Sequence, residues 1–363
     1  MLALDRRYFR FFDWQALLIV LILSTIGLAT VLSATYAAEE PYSLFFKKQL
    51  FGVASGLVLY GIFCSADYRI LTRWGFFIYF GVIALLLFTM IKGSIGMGAQ
   101  RWISLGFIKF QPSELAKLFF PSFFVYYIAS EKRELETVYD FAPILFIMGV
   151  SIILIQKQPD LGTALIILFT GSIVCYMAGL PRKFFIALLC IGTVSGPILW
   201  HVLKPYQRQR ILTFLGEGDL RKERYQIEQS RIAVGSGELW GKGYLQGTQN
   251  RLRFLPEGRT DFIFSVLCEE FGFAGALLVI ALYCWLFYRF LLLLFSIEQG
   301  LTQLLAIGLM SHIIFSTIVN LCMVLGLLPV VGIPLPLMSY GITHSWITFA
   351  SLGWLNGIAA RRF

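Results

Sequence analysis

Long apolar segments recur along almost the whole chain, and they constrain the fold more than any other feature of the sequence. Ten of them approach the ~20 residues that a helix needs to cross the hydrocarbon core of a bilayer. Only 14% of the 363 residues are charged and 58% are apolar, against about 25% and about 45–50% in soluble domains. This excludes an ordinary soluble protein and predicts an all-α, polytopic membrane protein. The ten predicted spans are residues 14–35, 46–65, 72–91, 112–130, 141–157, 161–179, 184–203, 262–295, 302–327 and 343–360.

Basic residues near the ends of these segments predict the orientation of the chain in the membrane. Lys and Arg are enriched on the cytoplasmic side of membrane proteins, and an even number of spans puts both termini on one side. Both termini are therefore predicted to be cytoplasmic, and the connections 92–111, 204–261 and 328–342 to be extracytoplasmic. The basic residues assigned to the cytoplasm are Arg6, Arg7, Arg10, Arg69, Arg73, Lys132, Arg133, Arg182, Lys183, Arg289, Arg361 and Arg362.

The chain is predicted to form one integral membrane domain over residues 1–363, because no linker or low-complexity tract interrupts it. Its longest extracytoplasmic connection, 204–261 between the seventh and eighth spans, is long enough to suggest a function. The eighth span, 262–295, exceeds the thickness of a bilayer, so we expect it to tilt or to project outward. The net charge of +9 is scattered, which fits membrane topology and anionic lipid headgroups better than nucleic acid.

The sequence offers little for cofactor chemistry. It contains no G-x-x-x-x-G-K-[ST] loop, which disfavours a pump driven by ATP. His201, His312 and His344 stand in different segments and no C-x-x-C pair occurs, so we do not expect a metal centre built from His or Cys. Ionisable residues within or beside the spans are therefore the main functional candidates, because each is costly there unless it is paired or solvated.

Three of these candidates flank apolar segments in the first half of the chain. Glu114 and Lys117 open the fourth predicted span, and their spacing puts them on one face of a helix. They form either an ion pair that anchors the helix end or one wall of a polar cavity for an anionic or sugar-bearing substrate. Asp160 follows Pro159 in a tight turn. It can simply cap the next helix, and it has a functional role only if it faces the same cavity.

Asp261 ends the long extracytoplasmic connection and precedes the eighth span. Thr260 or Asp261 can cap that helix, which is the structural interpretation. A carboxylate held between an apolar helix and a basic loop can also accept a proton from a bound hydroxyl, as a general base does. Glu269 and Glu270 follow inside the span, where one of them should need a buried partner. The connection before Asp261 also carries many basic residues, which would bind a substrate with phosphate and hydroxyl groups or form a solvated surface against anionic headgroups. These basic residues include Arg208, Arg210, Arg231, Lys242, Arg251, Arg253 and Arg259.

Six ordered motifs cover nearly the whole chain, and in this combination they resemble the SEDS (shape, elongation, division and sporulation) family. The motifs are Gly98-Ala99-Gln100-Arg101-Trp102-Ile103 with Phe110-Gln111-Pro112-Ser113-Glu114, Gln158-Pro159-Asp160-Leu161-Gly162-Thr163, Tyr206-Gln207-Arg208-Gln209-Arg210, Gly247-Thr248-Gln249, Thr260-Asp261-Phe262-Ile263-Phe264, and Leu328-Pro329-Val330-Val331-Gly332-Ile333-Pro334-Leu335-Pro336. The chain departs from the family's usual pattern at Arg259, where His is common, and at Ile342-Thr343-His344, where Gly-Ser is common.

The resemblance implies a peptidoglycan glycosyltransferase that polymerises lipid II at the outer face of the bacterial cytoplasmic membrane, for cell elongation and rod shape. Its implied partners are a class B penicillin-binding protein, the elongation machinery and membrane lipids, with no nucleic acid. Asp261 matches the family's essential aspartate, and Trp102, Glu114, Lys117 and Asp160 match residues that line or support its outer cavity. We assign substrate binding to Arg101, Trp102, Glu114, Lys117, Asp160, Arg208, Arg210, Lys242 and Arg259.

The expected chemistry joins two polyprenyl-linked saccharides. The acceptor hydroxyl must lose a proton while the donor pyrophosphate leaves, so Asp261 would be the base and the loop arginines would offset the leaving group's charge. A β-linked product from an α-linked donor implies inversion by direct displacement. No cofactor is evident. A divalent cation at the pyrophosphate is compatible with the sequence, which contains no dedicated cage for one.

Two other functions remain open from the sequence. A transporter that flips lipid II is suggested by ten spans with charged residues at Glu114, Lys117, Glu269 and Glu270. Its path should be polar over its whole length, whereas the first, ninth and tenth predicted spans hold almost no polar residues. The second possible function is that of a scaffold, which would only recruit the cross-linking enzyme. Synthesis of glycan strands from labelled lipid II by the purified protein would separate these functions.

Overall fold

The computed structural model describes residues 10–96, 99–106, 108–131, 137–196, 200–201, 203, 205–217, 223–252 and 254–361, and most of them lie in α-helices. Each of the ten predicted spans has a helix at its position. The helices are α1 (Trp14–Ala34), α2 (Leu44–Ser65), α3 (Tyr68–Lys92), α4 (Pro112–Ser130), α5 (Ala142–Lys157), α6 (Leu161–Met177), α7 (Arg182–Val194), α8 (Pro205–Phe214), α9 (Glu223–Ser236), α10 (Thr248–Arg251), α11 (Ile263–Phe295), α12 (Gly300–Val324) and α13 (Ile342–Ala360).

Six of the described helical segments are long and apolar enough to cross a membrane. They are α1, α2, α3, α11, α12, and α5 together with the 3-10 turn before it, Val138–Lys157. Helix α6 is apolar but shorter, at 17 residues. The count of ten spans and the sides of the membrane on which the loops lie stay predictions.

Two buried apolar clusters hold the helices together, and α4 contributes to both. The larger cluster takes Leu118 from α4 and packs it with residues of α1, α2, α11, α12 and α13. The smaller cluster takes Phe120 and Phe124 from α4 and packs them with α3, α5 and α6. Because α4 is packed from two sides, the polar residues at its N-terminus are held in a defined position relative to the rest of the bundle.

The prediction of an all-α fold was wrong in one connection. Residues 94–110 form a three-stranded antiparallel sheet of β1 (Ser94–Gly96), β2 (Ala99–Leu105) and β3 (Ile108–Phe110). Trp102 pairs with Ser94, and Ile103 pairs with Phe110. These strands are too short to be found in a search for apolar segments of ~20 residues.

The eighth predicted span is broken, which the sequence analysis did not anticipate. Helix α11 has 33 residues, and Gly272 within it has φ 63° and ψ −161°, a conformation essentially restricted to glycine. The segment before α10 covers the break. The Lys242 N–H donates to the Glu269 carbonyl at 3.0 Å, and the Phe273 N–H donates to the Glu238 carbonyl at 2.8 Å. The loop thus pairs backbone groups that the interrupted helix leaves without partners.

Some predictions fall on residues outside the described part of the chain. The predicted seventh span, 184–203, is described as helix through Val194, and residues 197–199 and 202 are not described. The predicted long connection 204–261 contains α8, α9 and α10 in its described parts. Also outside the described residues are Arg6, Arg7, Gly98, Lys132, Arg133, Arg253 and Arg362.

Candidate functional site

A cavity of about 820 Å³ lies where β2, the N-terminus of α4, the turn before α6, the segment before α11 and the N-terminus of α13 meet. Segments far apart in the sequence thus share one space. Of the ten residues predicted to bind substrate or catalyse, eight line it: Arg101, Trp102, Glu114, Lys117, Asp160, Arg210, Arg259 and Asp261.

The backbone on either side of Asp261 is held by hydrogen bonds from other segments. The Asn320 side chain of α12 donates to the Asp261 carbonyl at 2.9 Å and to the Ile333 carbonyl at 2.7 Å. The Ser339 hydroxyl donates to the Thr260 carbonyl at 2.6 Å. These bonds come from outside the Asp261 loop, so the position of Asp261 is set by α12 and by the segment that precedes α13.

The Asp261 side chain does not cap the following helix. The N-cap of α11 is Phe262, without a side-chain hydrogen bond, and the Asp261 carboxylate has no hydrogen bond or ion pair with a described residue. Burial raises the pKa of Asp261 to about 6; the charges of Glu257 and Asp160 also raise it, and those of Arg210 and Arg101 oppose the change. A free carboxylate with this pKa, in the wall of a cavity, can exchange a proton near neutral pH.

Asp160 both caps a helix and faces the cavity. Its Oδ1 accepts a hydrogen bond from the Thr163 N–H at 3.1 Å, which is the predicted cap of α6. Its Oδ2 accepts from Gln111 Nε2 at 2.7 Å and from the Ser113 hydroxyl at 3.1 Å. Arg101 lies 3.8 Å from Oδ1. Asp160 therefore ties the turn before α6 to the N-terminus of α4 and to the sheet.

Glu114 and Lys117 form the predicted ion pair, and the pair faces the cavity. Lys117 Nζ is 2.7 Å from each of the two carboxylate oxygens of Glu114, and both residues are only 4% exposed. A third group joins them, since Nδ1 of His344 in α13 is 3.2 Å from Glu114 Oε2. The structure thus contains both the ion pair and the cavity wall that the sequence left open, and substrate binding by this pair stays a prediction.

Arg259 lies against an aromatic pair at another part of the wall. Its guanidinium carbon is 4.0 Å from the centre of the Phe45 ring, close enough for a cation–π interaction. Phe45 in turn contacts Tyr340 edge to face, with ring centres 5.5 Å apart. Lys48, one turn after Phe45 in α2, also lines the cavity. The arrangement presents two cations and aromatic rings to the same space.

Arg208 and Lys242, also predicted to bind substrate, are not among the described residues that line the cavity. Arg208 donates hydrogen bonds to the backbone carbonyls of Trp200 and His201 at 2.7 and 2.8 Å. Lys242 Nζ is 2.7 Å from Glu269 Oε1. Glu269 is completely buried, so Lys242 compensates a charge inside the protein, as one of the two glutamates was expected to require.

Several polar residues of the site were not predicted from the sequence. Asn320 and His344 lie within the ninth and tenth predicted spans, which were described as almost free of polar residues but each contain several; both side chains are buried. Gln49 of α2 is a third: its Oε1 accepts from the Gly341 N–H at 2.9 Å, beside the cavity wall. The cost of burying an unpaired polar group was the signal that could have identified them. Lys48, Lys109 and Glu257 also line the cavity.

Comparison with known families gives a match over almost the whole chain. The model of the FTSW_RODA_SPOVE family, described as "Cell cycle protein", matches residues 13–362. The chain belongs to the FtsW/RodA/SpoVE family. It is an integral membrane protein, as this family and its apolar helices indicate.

Relatives in this family carry names that state an activity. The chain is 38% identical over 312 residues to the peptidoglycan glycosyltransferase MrdB of Escherichia coli (strain K12), covering 85% of this chain and 84% of that protein. It is 31% identical to the peptidoglycan glycosyltransferase RodA of Treponema pallidum (strain Nichols), covering 97% of this chain and 98% of the relative.

Solved structures in the FtsW/RodA/SpoVE family have the same fold. The Rod shape determining protein RodA of Thermus thermophilus matches with a TM-score of 0.72 and 26% identity, over 97% of this chain and 98% of that one. A chain from work on "structural coordination of polymerization and crosslinking by a peptidoglycan synthase complex" matches with a TM-score of 0.83 and 28% identity, over the same shares.

Proposed function

We propose that this protein polymerises lipid II into glycan strands at the outer face of the bacterial cytoplasmic membrane, with Asp261 as the general base. Peptidoglycan glycosyltransferase activity accords with the relatives named above. The proposal that Asp261 is the general base rests on its carboxylate, which lines the cavity and has no partner among the described residues. A base must have a free lone pair where the substrate binds, and this carboxylate meets that requirement.

The proposed step is an inverting displacement at the sugar carbon that bears the pyrophosphate. The acceptor hydroxyl oxygen forms a bond to this carbon while the bond to the pyrophosphate oxygen breaks. The hydroxyl proton passes to Asp261, and the electron pair of the broken bond leaves with the polyprenyl pyrophosphate. The donor is already activated by its pyrophosphate, so the reaction consumes no nucleotide. One base is sufficient for a single displacement.

Arginines beside Asp261 would stabilise the charge that develops on the leaving group. Arg101 and Arg210 both line the cavity, and both act electrostatically on Asp261. Preorganised cations in a site of low polarity stabilise a departing pyrophosphate better than water does. Arg259 and Lys48 add positive charge to the same wall. We assign this group of cations to the pyrophosphate.

A divalent cation could assist these residues, held mainly by the pyrophosphate oxygens. Among the described residues, no three His, Cys, Asp or Glu side chains come together as a ready-made metal site. The proposed proton transfer to Asp261 does not depend on a cation. Polymerisation measured with magnesium and with a chelator would determine whether one contributes.

Replacing Asp261 with Asn is the test of the proposed base. Asn keeps the size of the side chain but cannot accept the proton, so polymerisation of labelled lipid II by the purified variant should fall by at least about 10²-fold. Folding should survive. The pKa of Asp261 lies above its ordinary value because burial opposes the charge, and Asn removes that opposition, so at neutral pH the variant should melt no lower than the parent protein.

The matched control is Glu257→Gln, since Glu257 is a second carboxylate in the cavity wall. Its Oε2 accepts a hydrogen bond from the Thr260 hydroxyl at 2.9 Å, which the amide oxygen of Gln can also accept. This variant should keep most of its activity at neutral pH. Robust glycan synthesis by folded Asp261→Asn protein would refute the base assignment.

Transport of lipid II is the alternative function. The sequence argument against it, the scarcity of polar residues in the ninth and tenth predicted spans, is weakened by buried Asn320 and His344. The Asp261 carboxylate and the cations that line the same cavity nevertheless favour catalysis, whereas a transport path requires openings on both sides of the membrane. The transporter would be favoured if Asp261→Asn protein made no polymer but still moved lipid II across the membrane of vesicles.

We also propose a class B penicillin-binding protein as the partner, within the elongation machinery. The support is the likeness to the chain from the peptidoglycan synthase complex, for which polymerisation and crosslinking are described together. A single membrane helix of the partner would pack on a lipid-facing surface of this protein.

A further inference from the structure

His344 in the first turn of α13 lines the cavity, yet only one nitrogen of its ring is paired. Nδ1 is 3.2 Å from Glu114 Oε2. Nε2 is buried and has no hydrogen-bond partner among the residues that the structure describes, and the side chain as a whole is only 7% exposed. A buried polar atom without a partner is costly. Because His344 lines the cavity, a group bound there is the candidate for the missing partner.

The surroundings of the ring determine which chemical role Nε2 can have. A carboxylate can only accept hydrogen bonds, so the proton on the His344 ring must lie on Nδ1, which faces Glu114. Lys117 already balances the single negative charge of Glu114. A second positive charge, on the imidazole, would lack a counter-ion in this buried cluster and would be costly. The ring is therefore neutral, and Nε2 carries a lone pair that accepts a hydrogen bond.

We propose that His344 binds the saccharide part of the substrate, with Nε2 accepting a hydrogen bond from a sugar hydroxyl or an amide N–H. This inference rests on the proposed function and adds a residue to its substrate site. His344 belongs to one of the two places where the sequence departs from its family's usual pattern.

The same chemistry orients the substrate within the cavity. Phosphate oxygens can only accept hydrogen bonds, so they cannot pair with the Nε2 lone pair. The guanidinium groups of Arg101 and Arg259, which line the cavity, prefer phosphate. A molecule that carries both groups thus fits best with its saccharide against His344 and its pyrophosphate against the arginines.

Two substitutions separate the two nitrogens of the ring. In His344→Asn the amide N–H can replace Nδ1–H toward Glu114, but nothing replaces Nε2. In His344→Gln the longer side chain can place its amide oxygen near the position of Nε2, while the bond to Glu114 is lost. We would measure kcat and KM for lipid II polymerisation, and the melting temperature, for both purified variants. His312→Asn is the control, because His312 is a buried histidine that bonds Ser351 at 2.8 Å and is not among the described cavity residues.

His344→Asn should raise KM about three- to tenfold, the loss expected for one neutral hydrogen bond, with kcat and melting temperature close to those of the parent. His344→Gln should keep KM within about twofold and melt lower. The control should melt lower without a change in KM. An unchanged KM in His344→Asn, or a KM that rises in step with lost stability across the three variants, would overturn the proposal.

Two further results complete the test. If His344→Asn cannot be purified, His344→Ala, which removes both ring nitrogens, takes its place beside His344→Gln. A KM raised in His344→Ala but kept in His344→Gln supports the proposal, and the same KM in both variants overturns it. If the parent protein makes no glycan strands from lipid II, the proposed function fails and this inference fails with it. Strands from the parent together with an unchanged KM in His344→Asn would overturn only the role of His344.

Discussion

At the scale of single residues, the proton affinity of Asp261 depends on opposing charges around a half-buried side chain. Burial and Glu257 raise its pKa, and Arg210 lowers it. A base must be ionised to act, so activity should fall as the pH decreases through about 6, the pKa of this group. The neighbouring charges therefore set the acidic limit of catalysis.

Substitution of these neighbours should move that limit in opposite directions. Glu257→Gln removes a negative charge, which lowers the pKa of Asp261 and should move the acidic limb of the pH–rate profile to lower pH. Arg210→Gln removes a positive charge and should move the limb to higher pH. Profiles of kcat/KM for lipid II at constant ionic strength would measure both. Shifts in the same direction, or no shift in either variant, would mean that another group sets the limb.

The Glu114 and Lys117 side chains should be energetically coupled. Either one alone would leave an uncompensated charge in a buried site, so Glu114→Gln or Lys117→Met should each destabilise the protein by about 3–5 kcal/mol. The double variant should lose less than the sum of the two. Thermal or denaturant unfolding in detergent, analysed as a double-mutant cycle, measures the coupling. Additive losses would show that the two charges do not depend on each other.

At the scale of elements, the break in α11 requires a glycine. A Cβ atom on Gly272 would lie 2.4 Å from the backbone nitrogen of Gly241 and 2.6 Å from the carbonyl of Leu239. The loop that pairs the backbone at the break approaches too closely for any side chain. The same break lets α11 change direction after Glu269 and Glu270, which therefore lie under the loop.

Gly272→Ala should destabilise the protein by about 2–5 kcal/mol, since backbone strain and a steric clash add together. The control is Gly149→Ala in α5, where an added Cβ has nothing within 4 Å; this change should be neutral or stabilise by up to about 1 kcal/mol. Melting temperatures of the two variants in the same detergent provide the comparison. Equal stability would mean that the break tolerates a side chain.

At the scale of the whole molecule, α11 has a lipid-facing surface on which a partner helix can pack. Leu277, Leu278, Trp285, Tyr288 and Leu291 are each about half exposed, between 49% and 56%. Without a hydrophobic driving force inside a bilayer, such a surface associates through close packing. The part of α11 from Leu277 to Leu294 stays the predicted contact for the membrane helix of a cross-linking enzyme.

Site-specific cross-linking in membranes would test this contact. A photoreactive residue at Leu278 or Trp285 should capture the class B penicillin-binding protein, and one at Ile186 of α7, which is 60% exposed, should not. The extracytoplasmic loops should also give products. Cross-links confined to cytoplasmic connections, such as the one near Arg182, would contradict the prediction.

Much of this architecture follows from the sequence, because the decisive interactions are local. A run of ~20 apolar residues must bury its backbone polar groups in hydrogen bonds of its own, so it forms a helix wherever it lies in the bundle. Glu114, Lys117, Asp160 and Asp261 were identified in the same way. An ionised group beside an apolar helix raises the free energy of the folded protein unless it is paired or solvated. The short strands and the break at Gly272 were not predicted from the sequence, because the contacts that stabilise them come from other segments.

Only the tertiary structure decided which of the candidate residues share a cavity. Arg208 and Arg210 are two residues apart, yet Arg210 lines the cavity and Arg208 bonds the backbone before α8. Glu114 and His344 are in contact although 230 residues separate them in the chain. Spacing along a sequence determines which face of one helix a residue occupies. The distance between side chains of different helices depends on how the whole bundle packs, and that packing is set by many weak contacts at once.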